Sequence, residues 1–248
     1  MSALLCIAHR GGPIIDDVIS PENSLQAIQR SLALGVDAIE IDVWQLHGEL
    51  FVTHDRALGR QIAGAGLLQS KSLEELHRLR LGNGEPIPRL YEVLHAVGDK
   101  AALNIEIKGA NSADAVIKTL TAFVQDHQRS FEQYSVSSFD HQQLFEMLQK
   151  APHIKRGVLI EGIPLDYAAC CAALQAWSLN SHVGFLNHAL INDARQRGLK
   201  NFIYTVNTEE DWQWMLELGV DGVFTDRPAE LLRFNQHQTI TRQPGGGI

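Results

Sequence analysis

The chain has few cysteines, few basic residues and no long apolar segment, and each shortage excludes a class of protein. Cys6, Cys170 and Cys171 are an odd set, and the last two are adjacent. This arrangement indicates no disulfide framework, so we expect a reducing, cytoplasmic environment. No stretch approaches the roughly 20 consecutive apolar residues that a membrane helix needs. The amino-terminal residues lack a basic region, and we therefore expect no cleaved signal peptide.

Positive charge is also scarce. The 248 residues include 21 Lys and Arg against 29 Asp and Glu, which gives a formal net charge of −8. Nucleic-acid binding and docking on anionic membranes both need clustered positive charge, so we expect neither a nucleic-acid partner nor a stable membrane association. A small anionic substrate held by a few local cations remains compatible with this balance.

Apolar runs typical of strands alternate along the chain with segments of helical period. This alternation predicts parallel β/α units, and eight of them fit in a length typical of a (β/α)₈ TIM barrel. We predict one α/β domain over residues 1–234, with a small insertion after the second strand at about 47–89 and a disordered tail over 235–248. Predicted helices include Asp166–Ala176 and Ala229–Asn235. A doubly wound open sheet is the alternative, but it lacks the glycine-rich fingerprint after its first strand.

Charged residues stand in otherwise apolar strands near the strand ends. Glu40 and Asp42 are two residues apart, as are Glu106 and Lys108, so each pair points to one face of a sheet. Burying carboxylates together is costly unless a metal ion or an opposite charge compensates. Ion pairing between strands could explain any one pair, but the whole set indicates a metal-assisted phosphate site. In a barrel, the carboxyl ends of the strands carry the chemistry.

Each of these residue types suits a different part of that chemistry. Glu40, Asp42 and Glu106 form an all-oxygen set suited to a hard cation, Ca²⁺ or Mg²⁺, and Mn²⁺ also accepts such ligands. Arg10 and Lys108 can bind phosphate oxygens. The remaining two candidates, His9 and His54, can supply the acid and the base of phosphodiester cleavage, and the sequence leaves their assignment open.

The pattern as a whole resembles the glycerophosphodiester phosphodiesterase family, in its short bacterial form. The matching stretches run in order from residue 9 to residue 228 and are His9-Arg10-Gly11, Pro21-Glu22-Asn23-Ser24, Glu40-Ile41-Asp42, His54-Asp55, Glu106-Ile107-Lys108, Ser138-Phe139, Tyr204-Thr205-Val206-Asn207 and Gly219–Pro228. The resemblance implies a barrel enzyme that hydrolyses glycerophosphodiesters, which are deacylated phospholipids, to glycerol 3-phosphate and an alcohol with a divalent cation.

The resemblance also adds three substrate-binding candidates, Glu22, Asn23 and Phe139. Glu22 and Asn23 could instead shape the turn and cap the first helix, and Phe139 could simply pack in the pocket wall. Tyr204 replaces a frequent Trp of the family, which leaves the preference for the alcohol open.

Two other functions remain as alternatives. A related barrel phospholipase, similar to a phosphatidylinositol phospholipase C or a sphingomyelinase D, would need an interfacial surface, and the sequence has no evident apolar or basic docking segment. A non-catalytic binding protein on the same scaffold would be expected to lack at least one catalytic residue, whereas all seven proposed metal, phosphate and acid–base residues are present.

Overall fold

A closed ring of eight parallel strands forms the centre of this computed structural model, which describes residues 3–241, with side chains described to residue 238. The strands, numbered along the chain, are β1 Leu5–Ala8, β2 Ile14–Ile15, β3 Val18–Ile19, β4 Ala38–Leu46, β5 Glu49–Val52, β6 Ala102–Ile107, β7 Tyr134–Ser138, β8 Lys155–Ile160, β9 Ser178–His182, β10 Lys200–Tyr204 and β11 Gly222–Thr225. The ring follows the order β1, β4, β6, β7, β8, β9, β10, β11 and closes where β11 pairs with β1. The predicted (β/α)₈ barrel is confirmed.

Helices follow the barrel strands and cover the outside of the ring. They are α1 Leu25–Leu34, α2 Leu73–Arg78, α3 Leu90–Val97, α4 Ala113–Asp126, α5 His141–Lys150, α6 Cys170–Ala173, α7 His188–Gln196, α8 Glu209–Leu218 and α9 Pro228–Thr241. The residues that flank α1 explain where this helix begins and ends. The Ser24 side chain accepts from the Ala27 N–H at 3.0 Å and caps the start, and Gly35 ends the helix at φ 76°.

Two helix predictions differ from the structure. The predicted helix Asp166–Ala176 shrinks to α6, because Tyr167 and Gln175 both have positive φ and cannot continue a helix. The last helix runs beyond Asn235 to Thr241. Asn235 is anchored to the residue before β1, since it donates to the Leu4 carbonyl at 2.8 Å and accepts from the Leu4 N–H at 3.3 Å. The predicted disordered tail is therefore wrong for residues 235–241, and residues 242–248 lie outside the described residues.

The barrel closes at a point of very close backbone approach. Leu5 of β1 lies in register with Gly222 of β11. A Cβ atom at Gly222 would lie 2.7 Å from both the Leu5 Cβ and the Leu5 carbonyl oxygen. Glycine is therefore required there for the first and last strands to pair.

Between β4 and α3 the chain forms an insertion at the carboxyl end of the barrel. It begins as the predicted hairpin, since β5 pairs antiparallel with β4, and it continues through α2. Its own apolar side chains form a small buried cluster of Phe51, Ile62, Leu68, Leu76, Leu81 and Ile87, together with Leu46 of β4. A second, shorter hairpin, β2–β3, follows β1. Loops of the insertion and of the β2–β3 hairpin lie beside the carboxyl ends of β1 and β4.

Candidate active site

The structure brings the predicted residues together at the carboxyl ends of neighbouring strands. Most of them lie on or after β1, β4 and β6. These three strands are neighbours, because β4 lies between β1 and β6 in the ring. The β4–β6 register sets Asp42 opposite Glu106. The set comprises His9, Arg10, Glu22 and Asn23 after β1, Glu40 and Asp42 within β4, His54 after β5, Glu106 and Lys108 at the end of β6, and Phe139 after β7.

Three buried carboxylates form the floor of the site. One oxygen from each of Glu40, Asp42 and Glu106 lies within 4.8 Å of the others. The Glu40 Oε1 atom is buried and has no hydrogen-bond partner among the described residues. An unpartnered buried carboxylate oxygen is costly, so the donor set fits a hard divalent cation held by oxygen ligands.

The three crowded carboxylates differ in their pKa shifts: the pKa is raised for two of them and lowered for the third. Burial and the neighbouring Asp42 raise the pKa of Glu106 to about 7. Burial, Asp42 and Glu106 also raise the pKa of Glu40 well above its ordinary value. Burial opposes ionisation of Asp42 too, but Lys108, His54 and Arg10 outweigh it and lower the pKa of Asp42. Asp42 is therefore the member of the three that ionises most readily.

Two cations lie against the carboxylates. The Lys108 Nζ atom is 2.5 Å from Glu106 Oε1 and 3.3 Å from Asp42 Oδ1. Arg10 stands in a 3₁₀ turn at φ 51°, which turns its backbone N–H toward the Glu40 Oε2 atom at 2.7 Å. Its Nη1 atom donates to both oxygens of Glu22 at 3.2 Å. A phosphate beside this cluster would meet two positive side chains.

Asn23 positions one of the carboxylates. Its Nδ2 donates to Asp42 Oδ2 at 2.8 Å, and its Oδ1 accepts from the Asp42 backbone N–H at 3.1 Å. The residue is fully buried, at φ 61°. The sequence allowed Asn23 either a cap role or a site role, and the helix cap is made instead by the adjacent Ser24.

His9 is oriented by a carboxylate from the last barrel strand. Its Nδ1 lies 2.7 Å from Asp226 Oδ1, just after β11. The other Asp226 oxygen accepts from Asn207 Nδ2 at 2.7 Å. Burial opposes ionisation of Asp226, but the contacts with His9 and Asn207 outweigh it and lower its pKa. Because Asp226 engages Nδ1, Nε2 is the ring nitrogen of His9 that has no hydrogen-bond partner among the described residues.

His54 is also held by a carboxylate, that of the adjacent Asp55. Its Nδ1 lies 2.9 Å from Asp55 Oδ1, and Asp55 is bound by Arg60 through two hydrogen bonds of 2.6 and 3.0 Å. Arg60 comes from the insertion, and its Nη2 also reaches Glu22. Burial and Lys108, acting against Asp42, lower the pKa of His54. The two histidines are thus each held by a carboxylate, but only Asp55 is neutralised by an arginine.

Phe139 lies at the edge of the site with Lys108 and Tyr204. The Lys108 Nζ atom is 5.7 Å from its ring centroid, and Tyr204 meets it edge to face at 5.9 Å. Tyr204 is fixed by donation of its hydroxyl to the Ile160 carbonyl at 2.8 Å. These contacts make an aromatic wall on one side of the carboxylates.

Sequence comparison places the chain among known proteins. The pattern of the glycerophosphoryl diester phosphodiesterase family matches residues 9–230. That span covers nearly all of the barrel and includes every residue of the site. The chain belongs to the glycerophosphoryl diester phosphodiesterase family. The predictions of the family and of an enzyme, a phosphoric diester hydrolase, are confirmed.

Individual family members resemble the chain over almost its whole length. A glycerophosphodiester phosphodiesterase of Caldanaerobacter subterraneus subsp. tengcongensis is 36% identical over 239 residues, 92% of this chain and 96% of that one. One from Bacillus altitudinis is 31% identical over 87% of this chain and 93% of that one. The solved structure of an Oleispira antarctica phosphodiesterase in complex with the product sn-glycerol-3-phosphate aligns with a TM-score of 0.82 at 26% identity, covering 93% and 96% of the two chains.

Three residues of this family member's site have no role in the sequence prediction. Asp226 and Asn207 stand in matched motifs, and Asp226 follows a barrel strand, which is the signal that could have identified it. Arg60 lies in an irregular loop of the insertion, where neither periodicity nor strand position marks it. Its role depends on how the insertion folds back over the barrel.

The mouth of the barrel also carries exposed apolar side chains. They are Phe139, Ile163, Leu165 and Phe185, on the loops that follow β7, β8 and β9. The sequence shows no evident docking segment of this kind, because the four residues are not contiguous along the chain. Among the described residues, no helix is both long and apolar enough to cross a membrane.

Proposed function

We propose that the protein hydrolyses glycerophosphodiesters to glycerol 3-phosphate and an alcohol, with a divalent cation held by Glu40, Asp42 and Glu106. The observation that carries this proposal is the cluster of three buried carboxylates beside two carboxylate-supported histidines. Membership of the family and the resemblance to the product-bound Oleispira enzyme support the substrate class.

Two positively charged side chains bind the phosphate of the substrate in this proposal. Arg10 and Lys108 stand above the carboxylates, and their side chains are only partly exposed, at 19% and 17%. A bound cation would withdraw charge from a phosphate oxygen and so ease attack at phosphorus. Ca²⁺ and Mg²⁺ are the first candidates and Mn²⁺ is the next, because all three accept oxygen ligands.

His54 is assigned the role of general base. Its lowered pKa keeps the imidazole neutral near neutral pH, and its Nδ1–H donates to Asp55, so Nε2 is free to accept a proton. The proton comes from the glycerol hydroxyl adjacent to the phosphate. That hydroxyl oxygen forms a bond to phosphorus, the bond from phosphorus to the alcohol oxygen breaks, and a cyclic phosphate results.

His9 is assigned the role of general acid. The ionised Asp226 at Nδ1 stabilises the protonated imidazole, which donates its Nε2 proton to the departing alcohol oxygen. In the second half of the reaction His9 takes a proton from water, the water oxygen attacks the cyclic phosphate, and His54 returns its proton to the glycerol oxygen. Both histidines end in their starting states.

A coupled assay tests the proposal. Purified protein is given glycerophosphoglycerol and glycerophosphocholine with EDTA, Ca²⁺, Mg²⁺ or Mn²⁺, and glycerol 3-phosphate is read by a dehydrogenase that forms NADH. We expect activity that one or more cations restore and that His9→Ala removes. Folded protein that releases no glycerol 3-phosphate with any cation would show the proposal to be wrong.

One observation favours a second candidate, a lipid phosphodiesterase. The exposed Leu165, Ile163 and Phe185 at the mouth are suited to contact with an apolar surface. Phosphatidylinositol vesicles and lysophosphatidylcholine micelles are therefore included in the assay. Hydrolysis of these lipids that Leu165→Ser lowers, with the water-soluble substrates unaffected, would support this candidate.

A further inference from the structure

A cleft of about 720 Å³ opens beside the catalytic cluster. It lies between the β2–β3 hairpin and the insertion, and its inner end is formed by His9, Arg10, Glu22 and Asp226. This volume is within the range of roughly 300–1,000 Å³ usual for small-molecule sites. His54 does not line the cleft, so the space adjoins the histidine assigned as the acid.

Side-chain amides make up the polar wall of the cleft. Gln26, Gln61 and Asn83 all line it. Asn83 donates to the Gln26 side-chain oxygen at 3.1 Å, which leaves the Gln26 NH₂ group without a partner in the described part of the chain. Gln61 is half-buried, and its amide makes no hydrogen bond to any described residue. An amide offers both donors and an acceptor, which matches alcohol hydroxyls without selecting for charge.

The two carboxylates at the inner end of the cleft already have partners. Glu22 is bound by Arg10 and by Arg60. Asp226 is bound by His9 and by Asn207. No Phe, Tyr or Trp is among the residues that line the cleft, all of which the structure describes. A quaternary ammonium group needs aromatic faces or free carboxylates, so this wall is poorly suited to choline.

The opposite wall is apolar and comes from the hairpin. Ile14 and Ile19 line it together with Pro13 and Pro21. The C–H face of a ring alcohol can pack on such a wall while its hydroxyls face the amides. We propose that this cleft binds the alcohol part of the substrate and that the preferred alcohol is an uncharged polyol, of the inositol or glycerol type. This proposal rests on the proposed function and specifies its substrate.

The first experiment compares four substrates under the cation found to support activity. They are glycerophosphoinositol, glycerophosphoglycerol, glycerophosphocholine and glycerophosphoethanolamine, and kcat/KM is measured for each. We expect the two polyol substrates to exceed the two amines by about tenfold or more, as two or more added hydrogen bonds allow. Equal or better hydrolysis of the amines would overturn the polyol proposal and leave the proposed function intact, whereas silence with all four would overturn both.

Variants of Gln61 test whether the cleft causes the preference. Gln61→Ala is expected to raise KM for glycerophosphoinositol by about three- to tenfold, because one or two hydrogen bonds are lost. Gln61→Glu adds a carboxylate to the cleft and is expected to shift the ratio of kcat/KM toward glycerophosphocholine. Gln69 is the matched control, an exposed glutamine of the same insertion that does not line the cleft. Folded Gln61→Ala and Gln61→Glu proteins with the same substrate ratio as Gln69→Ala and Gln69→Glu would overturn the proposal.

Discussion

Asp42 and Glu106 lie opposite each other on β4 and β6, and the same Lys108 amine contacts both carboxylates. Glu40 is the third carboxylate of the group, and its Oε1 has no hydrogen-bond partner among the described residues. When all three are ionised, the cluster therefore carries more negative charge than Lys108 and Arg10 balance. It can respond in two ways, by holding a proton or by binding a cation.

The metal-free protein is expected to lose stability as pH rises from about 4.5 to about 7. The pKa of Glu106 is raised from 4.5 to about 7 in the folded chain, so in this window the folded state holds a proton that the unfolded state has released. Urea unfolding in EDTA at a series of pH values measures the effect. Asp42 and Asp226, with lowered pKa values, lose their contributions only as pH falls below 3.8. The lowered pKa of His54 gives a slope of opposite sign below 6.5, so the contribution of Glu106 is measured as the difference between wild type and Glu106→Gln.

Glu106→Gln should reduce this pH dependence, because the amide cannot ionise, and the raised pKa of Glu40 accounts for the part that remains. The exposed Glu217→Gln on α8 is the control and should keep the wild-type slope. Saturating Ca²⁺ should reverse the slope in the wild type, since the cation competes with the proton. The same pH dependence in wild type and in Glu106→Gln would contradict the prediction.

Asp226→Asn should lower kcat by about 10²–10⁴-fold, the usual contribution of acid–base catalysis. The amide can donate to Nδ1 of His9, which would move the ring proton to the other nitrogen and remove the charge that favours the protonated form. KM should change little, because Asp226 acts through His9. Nitrogen NMR of the imidazole reports the altered tautomer.

The matched control for that change is Asp126→Asn, at the exposed end of α4. It should leave kcat and the His9 spectrum as in the wild type. A folded Asp226→Asn protein with a wild-type tautomer and wild-type kcat would show that Asp226 does not position His9.

Arg60→Ala should lower kcat, because Asp55 loses both hydrogen bonds that fix it against His54. We expect a loss of about tenfold. Arg60→Lys should recover only part of it, since one ammonium cannot reproduce the two-pronged contact. Arg56→Ala, in the same loop, changes an exposed side chain with no hydrogen bond or ion pair to the described residues, and it should behave as the wild type. Limited proteolysis of the insertion gives a second readout, and unchanged cleavage with unchanged kcat would argue against the role.

Asn23→Ala should lower the free energy of unfolding by about 1–3 kcal/mol and weaken cation binding. The change leaves the buried Asp42 carboxylate and its backbone N–H each short of one partner. Chemical denaturation and calorimetric titration with Ca²⁺ measure the two effects. Asn111→Ala is the control, because Asn111 has a similar φ of 60° but is exposed. Equal losses in both variants would assign the effect to the backbone rather than to Asp42.

Strands and helices of the barrel were predictable where local pattern decides them. The alternation of strand-type and helix-type segments located the barrel strands, and Ser24 and Gly35 marked the ends of α1. The prediction failed at Asp166–Ala176, where positive φ at Tyr167 and Gln175 interrupts a segment of helical composition. It also failed at the end of α9, which is anchored by contacts between Asn235 and the far end of the chain.

The sequence by itself determined the barrel and the charged residues at its carboxyl ends, since strand alternation and the cost of burying Glu40, Asp42 and Glu106 are local properties. Only the tertiary structure decided how those residues are partnered. His9 and Asp226 are 217 positions apart and meet because β1 closes the ring against β11. Arg60 reaches Asp55 and Glu22, and the amide-lined cleft exists, because an irregular insertion packs beside the β2–β3 hairpin. Long-range packing sets such contacts, and no local pattern encodes it.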